Sequence, residues 1–165
     1  MKTMHMKLWC LAGMLFCLNL MAAEPNADQM FFNDVYSGST FEIQAGTIAG
    51  KKSANADVGK FAKMMVEDHG KAKKELDELA SKKKWTLPTN PPEQHQKTLD
   101  RFAGEEGAAF ESDYVKTMKE DHQADAAKIK NAIPGITDSD LKNWTSKYLD
   151  VVNKHAKEAE SLGTK

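Results

Sequence analysis

Cysteine is nearly absent: Cys10 and Cys17 stand in the first 20 residues, and none follows across the 165-residue chain. This excludes a disulfide framework for the folded part, a thiol nucleophile and a thiolate metal site. An excess of charge of either sign is missing too. Lys and Arg number 23 against 24 Asp and Glu, a net charge of -1, which leaves no electrostatic footprint for nucleic acid. The longest apolar run, residues 8–18, falls short of the roughly 20 residues a membrane span requires. There is no Gly-x-Ser-x-Gly elbow and no phosphate-cradling glycine loop. Sustained strand alternation and hairpin turn signals are also lacking. What remains, 41% hydrophobic and 28% charged residues, is the balance of one soluble globular domain.

The first 23 residues read as a secretory signal. Lys2 and Lys7 make a basic start without acid, the short apolar run follows, and Ala22-Ala23 supplies small residues at its exit. Cleavage after Ala23 is expected, the alternative being an uncleaved anchor. A lipoprotein signal is disfavoured because Phe16 and Trp9, not small residues, precede the cysteines. Loss of Lys2 and Lys7 leaves 21 basic against 24 acidic residues, a net -3. The expected mature chain, residues 24–165, then has no thiol, no transmembrane span and a size at which one core suffices without staples.

Helical periodicity appears in four long stretches. The first covers about residues 28–50, with a kink or short break expected at Ser37-Gly38-Ser39-Thr40, poor helix formers. The second starts near Ser53 or Asn55, either a good N-cap, and reaches about Lys83. A proline-rich loop follows, in which His95 is expected to be exposed, and Pro92 starts a short helix through Gly104. The third runs over about 105–133 and stops at Pro134-Gly135. The fourth opens at the Thr137-Asp138-Ser139-Asp140 cap and ends near Leu162. Short connections between them argue for an all-α four-helix bundle.

A repeat carries the polar signal. Residues 61–69 and 114–122 share five identities in nine at one fixed offset: Lys63/Lys116, Met65/Met118, Glu67/Glu120, Asp68/Asp121 and His69/His122. Such a repeat suggests two equivalent helices facing one centre. Helical phase then places one ionisable residue in the middle of each apolar seam: Glu42, His69, His122 and His155. Counting along each helix brings His69 and His122 to a common height. The same count leaves His155 about two turns from His122, and Glu42 about as far from His69. The pair is therefore the firm part, and the four-membered cluster is not.

Two readings stay open. In the first, the histidines are a buried polar layer that fixes bundle register, with Asp125, Tyr148 or water as partners. In the second they bind zinc, iron or copper, because neutral imidazoles with a carboxylate suit those ions and bundle cores build such sites from facing helices. Asp68 and Asp121, one step off the seam, are candidates to orient an imidazole or to pair with Lys71, Lys116 or Lys128. Asp125 stands one turn after His122 and Glu158 three residues after His155. The Glu-x-x-His signature of di-iron bundles is missing, since Val66 and Lys119 stand three residues before the two histidines. Haem held axially by facing histidines is a lesser option. Met65 and Met118 would suit copper but read more simply as core. A redox enzyme ranks third, because the sequence shows no substrate pocket.

The order of these residues resembles a bacterial family, domain of unknown function 4142. Glu42, Gly46, Ala49, Asn55, Val58, Phe61 and Ala62 carry the resemblance, then Met65, Asp68 and His69 as its Met-x-x-Asp-His run. Phe110, Tyr114, Met118 and His122 fit its second histidine helix, and His155 the last. The likeness covers about residues 28–162 and departs at Glu111-Ser112-Asp113. It implies a ferritin-like four-helix fold and export to the periplasm or outer membrane, with Glu42, His69, His122 and His155 as its mapped residues. It implies no established activity.

Overall fold

Asn26 opens residues 26–164, the part described by the computed structural model, by capping the first helix through its side-chain oxygen, which accepts from Gln29 N at 2.8 Å. The expected signal peptide lies outside the described residues. Helix α1 is Ala27–Lys52, α2 Ala56–Lys83, α3 Glu93–Gly104, α4 Gly107–Ala132 and α5 Ser139–Gly163, with a 3-10 turn at Ile133–Gly135. Among the described residues there is no strand, and the chain is an all-α bundle of four long helices and one short one. None of these helices is long and apolar enough to cross a membrane.

The caps explain where the helices start. Asn55 accepts from Asp57 N at 2.9 Å and begins α2. Asp138 accepts from Asp140 N and Leu141 N, each at 3.0 Å, and begins α5. The break expected in α1 does not occur: the helix is continuous through residues 37–40. Ser37 and Thr40 direct their hydroxyls back onto the carbonyls of Asn33 and Tyr36, at 2.8 and 2.9 Å, so neither competes for helix-forming groups.

Two apolar clusters fix the topology. One gathers Ala45 and Ala49 late in α1, Phe61 and Met65 early in α2, Phe110, Tyr114 and Met118 early in α4, and Ala159 late in α5, with Leu99 and Phe102 of α3. The other gathers Phe32 and Tyr36 early in α1, Leu76 and Leu79 late in α2, Ile129 late in α4, and Leu141 and Val152 from the first part of α5. So α2 and α4 run parallel to one another and antiparallel to α1 and α5. Not every connection is short, as the periodicity had suggested. The segment from Lys84 to Glu106, which includes α3, carries the chain back along the bundle to start α4 beside the start of α2.

Three contacts lock this arrangement. At Gly46 a Cβ would come within 2.9 Å of the Ala62 carbonyl and 3.0 Å of Val66 Cγ2, so glycine sets the close approach of α1 to α2. Buried Asp28 accepts from Thr137 N, Thr137 Oγ1 and Asp138 N, tying the start of α5 to α1. Lys52 donates to the carbonyls of Phe102 and Ala103, both at 2.9 Å, and closes the last turn of α3.

Candidate metal centre

Between the two apolar clusters lies one polar level, and every long helix contributes to it. Glu42 is 1% exposed and His69, His122 and His155 are each 0% exposed. The two-turn offsets expected for Glu42 and His155 are not observed. Helix α1 runs on to Lys52 and α2 begins only at Ala56, which shifts their mutual register. The 3-10 turn likewise extends α4 outward before the chain reverses, so α5 starts further out. The remaining offsets are about one helical turn, a distance side chains span. His69 and His122 match in height for a different reason than antiparallel counting suggests: each sits near the middle of its helix. Parallel α2 and α4 also explain the repeat, because Met65 and Met118 then lie on the same side of the histidine level, in one cluster.

The three imidazoles meet through one nitrogen each. His69 Nε2 is 3.3 Å from His122 Nε2 and 3.1 Å from His155 Nδ1. Each opposite nitrogen is already engaged. His122 Nδ1 is 2.8 Å from the Met118 carbonyl, which can only accept, so that nitrogen carries the proton. His155 Nε2 is 3.0 Å from Asp68 Oδ2. Burial pushes the Asp68 carboxyl up, but the hydrogen bonds from His155 and Lys154 outweigh it and hold the group below its ordinary value, so it accepts as a carboxylate. His69 Nδ1 lies between Glu42 Oε2 at 2.8 Å and the Tyr148 hydroxyl at 3.0 Å. The inward nitrogens of His122 and His155 therefore present lone pairs, and both lie within 3.3 Å of His69 Nε2.

Glu42 completes the level. Its Oε1 is 3.2 Å from His122 Nε2. Both oxygens are close to imidazole nitrogens, yet neither makes a well-aligned hydrogen bond. Burial pushes the Glu42 carboxyl up, but attraction to the imidazoles, His69 foremost, overcomes this and holds it at about 2. Burial also pushes His122 down, partly opposed by Glu42. His155 is lowered to about 4 by burial and by repulsion from His69, against the pull of Asp68. At neutral pH these two rings are neutral, the ligand form.

The three imidazole nitrogens fit a metal ion, with Glu42 next to them at His122 Nε2. A tetrahedral ion with ligand bonds of about 2.0–2.1 Å has ligand-to-ligand edges of about 3.3–3.4 Å. The nitrogen separations of 3.1 and 3.3 Å and the 3.2 Å oxygen-to-nitrogen contact lie close to that edge. The outer partners match the pattern by which ligating histidines are oriented, a carboxylate or carbonyl on the other nitrogen. Haem does not fit: nitrogens 3.3 Å apart leave no slot for a macrocycle between His69 and His122. Glu158 is exposed and lies outside the level.

Asp121 and Asp125 stand apart from the imidazole cluster, on the α4 wall of a small cavity of about 100 Å³ that ends at Glu42. Asp121 approaches Glu42 and His122, one oxygen lying within 4.8 Å of a ligand atom of each. Lys128 pairs with Asp34 rather than Asp121, and Asp68 pairs with Lys154 at 3.3 Å rather than with Lys71. Burial raises Asp121 to about 8, with Glu42 and Asp125 adding repulsion, and raises Asp125 to about 7, with Glu42 again adding to it. These acids are thus protonated in the fold at a pH where an unfolded chain ionises them. Their contribution to stability is full below about pH 4 and is lost as the pH rises through 7 to 8. Asp125→Asn is therefore expected to raise the melting temperature at pH 9 by a few degrees, on the order of 1 kcal/mol after solvent screening, and to leave it unchanged at pH 4. Equal melting curves at pH 9 would refute a strained acid.

His95 is not an exposed loop residue. It lies in the first turn of α3, half-buried, stacked on Phe41 with ring centroids 4.5 Å apart, and it lines the same cavity. The role of Ser39 is legible only in space. Its hydroxyl is 3.2 Å from Tyr148 Oη, which supports the contact to His69. Both residues lie on apolar seams, but helical phase does not tell which polar groups meet.

Comparison with known proteins agrees with the resemblance and adds no activity. No curated protein matches the chain, and no solved structure matches it. The profile described as "Domain of unknown function (DUF4142)" matches residues 19–162, and the matched segment holds all four residues of the buried polar level. The chain belongs to the DUF4142 family.

Proposed function

We propose that the protein is exported and holds one divalent first-row transition metal ion in its bundle core. His69 Nε2, His122 Nε2 and His155 Nδ1 are its ligands, and Glu42 is the fourth. The observation that carries this reading is the convergence of three buried imidazole nitrogens, with the outer nitrogens of His122 and His155 held by a carbonyl and a carboxylate so that their inner ones are free to ligate. Zinc leads because the separations suit a tetrahedron, and iron and copper accept the same nitrogen and oxygen donors. Export is supported by the basic, apolar and small-residue order of the first 23 residues.

A polar layer without metal is the second reading. The Glu42 carboxylate favours it, since one proton on the imidazoles would balance the charge. Elemental analysis of protein purified from the periplasm without chelator is expected to give about one equivalent of a transition metal. Ion added at a hundredfold excess over Kd stabilises by roughly 2.7 kcal/mol, a shift on the order of 8 °C. Absence of stoichiometric metal, together with no thermal shift from zinc, iron or copper, refutes the binding reading. An intact amino terminus on cytosolic protein refutes export.

A further inference from the structure

The cavity that ends at Glu42 has a feature the metal centre alone does not explain: it is a carboxylate-lined passage into an otherwise sealed level. Helix α1 contributes Asp34, Gly38, Ser39 and Glu42, and α4 contributes Asp121 and Asp125. None of the three imidazoles lines it. Glu42 therefore stands between the passage and the nitrogens. It groups with Asp121 and His122, and His122 is the residue shared with the imidazole cluster; the two Glu42 oxygens also lie 2.8 Å from His69 Nδ1 and 3.2 Å from His122 Nε2. It is 1% exposed, and its oxygens are left without aligned hydrogen bonds where they meet the cavity.

A second groove touches the other flank of the centre, along α2 and α5 by Trp144. Its floor is closed by Asp68 and Tyr148, whose polar atoms are spent on the outer nitrogens of His155 and His69. Lys71 and Lys147 line it beside Asp68, Glu75 and Asp140, so its charges nearly cancel. The α1–α4 cavity reaches the inner side and is lined by acids, with the single Lys128 held by Asp34.

We propose that the α1–α4 cavity is the port through which a hydrated divalent cation reaches the imidazoles, with Asp121 and Glu42 as its last carboxylate ligands before transfer. This rests on the metal reading above. The acids give up their protons to the entering cation and replace its water ligands one at a time, and Glu42 keeps hold of the ion as it meets the first imidazole. A port alters how fast an ion passes and leaves its final binding alone. Uptake and release must therefore change by the same factor when the passage is narrowed.

Gly38 allows that experiment. A Cβ there meets only Asp125 Oδ2, at an ordinary 4.0 Å, and Gly38 lines the cavity whereas His69, His122 and His155 do not, so leucine adds bulk to the passage rather than to the imidazole cluster. The probe is Co²⁺ added alone to the full chain. Uptake is followed in a stopped-flow instrument by its visible absorption, and release by mixing with excess chelator. Gly38→Leu is expected to slow both by about tenfold or more, with Kd within about twofold of the native value. Asp125→Asn is expected to slow uptake about threefold or more, because an amide cannot become an anionic ligand to the passing ion. Glu75→Gln, in the opposite groove, is the control and leaves both rates as they were. Should the leucine variant fail to fold, the Asp125→Asn uptake rate decides alone. Cobalt binding with native rates in the folded variants overturns the port and spares the centre. No cobalt binding by the native chain overturns the centre itself.

Discussion

His69→Ala is expected to weaken metal binding on the order of 100- to 1,000-fold. Its Nε2 is the atom common to both short nitrogen separations, 3.3 Å to His122 and 3.1 Å to His155. Structural zinc sites bind with about 10–16 kcal/mol, so each of four ligands carries about 2.5–4 kcal/mol. His122→Ala and His155→Ala should fall in the same range. Asp68→Ala should cost less, about 10- to 100-fold, because it removes only the group that orients His155. Competition titration against a chelator of known affinity, at one fixed pH, gives all four values.

The ordering matters more than any single number. Ligand loss and loss of an orienting carboxylate have different magnitudes at a metal site, whereas in a polar layer the four variants have no metal affinity to lose. Asp68→Ala as damaging as His69→Ala would mean that Asp68 itself binds the ion. No change in affinity from any histidine variant would place the ion elsewhere. The pH dependence has a definite sign. Burial keeps His122 and His155 below the ordinary histidine value, so at neutral pH the ion need not displace a proton from either of them. Affinity is expected to fall in acid, where protons compete for the inward nitrogens.

How much of this was legible beforehand follows from what periodicity encodes. Spacing of three and four residues identifies which face of a helix is inside, and it put Glu42, His69, His122 and His155 on inner faces. It does not encode axial register. That depends on details such as the two residues by which α1 outruns Gly50, or the 3-10 turn after Ala132. The direction of α4 was hidden for a similar reason. The proline-rich segment that includes α3 reads as a connection, but only its packing of Leu99 and Phe102 shows that it climbs the bundle. The orienting contacts were partly visible: Asp68 lies beside His69 in sequence but serves His155 on another helix, a choice no spacing rule makes. His95 was misplaced because the helix begins immediately after the prolines, and its stacking on Phe41 is a tertiary contact. The α1 hydroxyls at Ser37 and Thr40 read as helix breakers, but local carbonyls absorb them.

The second large effect separates the two readings of the buried level by stability alone. A chain carrying Glu42→Leu, His69→Leu, His122→Leu and His155→Leu is expected, without metal, to be about 1–4 kcal/mol more stable than the metal-free native chain. Buried charges and lone pairs cost desolvation that their mutual contacts repay poorly, whereas leucines of similar size join the apolar clusters above and below. Few partners are orphaned by the change. Tyr148 keeps Ser39, Asp68 keeps Lys154, and the Met118 carbonyl stays within its helix. Urea denaturation of both chains in the presence of chelator measures the difference. With excess zinc the order should reverse, because only the native chain gains binding energy. If the leucine chain is instead less stable by several kcal/mol in chelator, the polar level supports the fold by itself and the metal reading loses its physical motive. A gain in chelator combined with reversal in zinc would mean that the bundle bears a cost in its own core to keep a place for an ion, as strained Asp121 and Asp125 beside it already suggest.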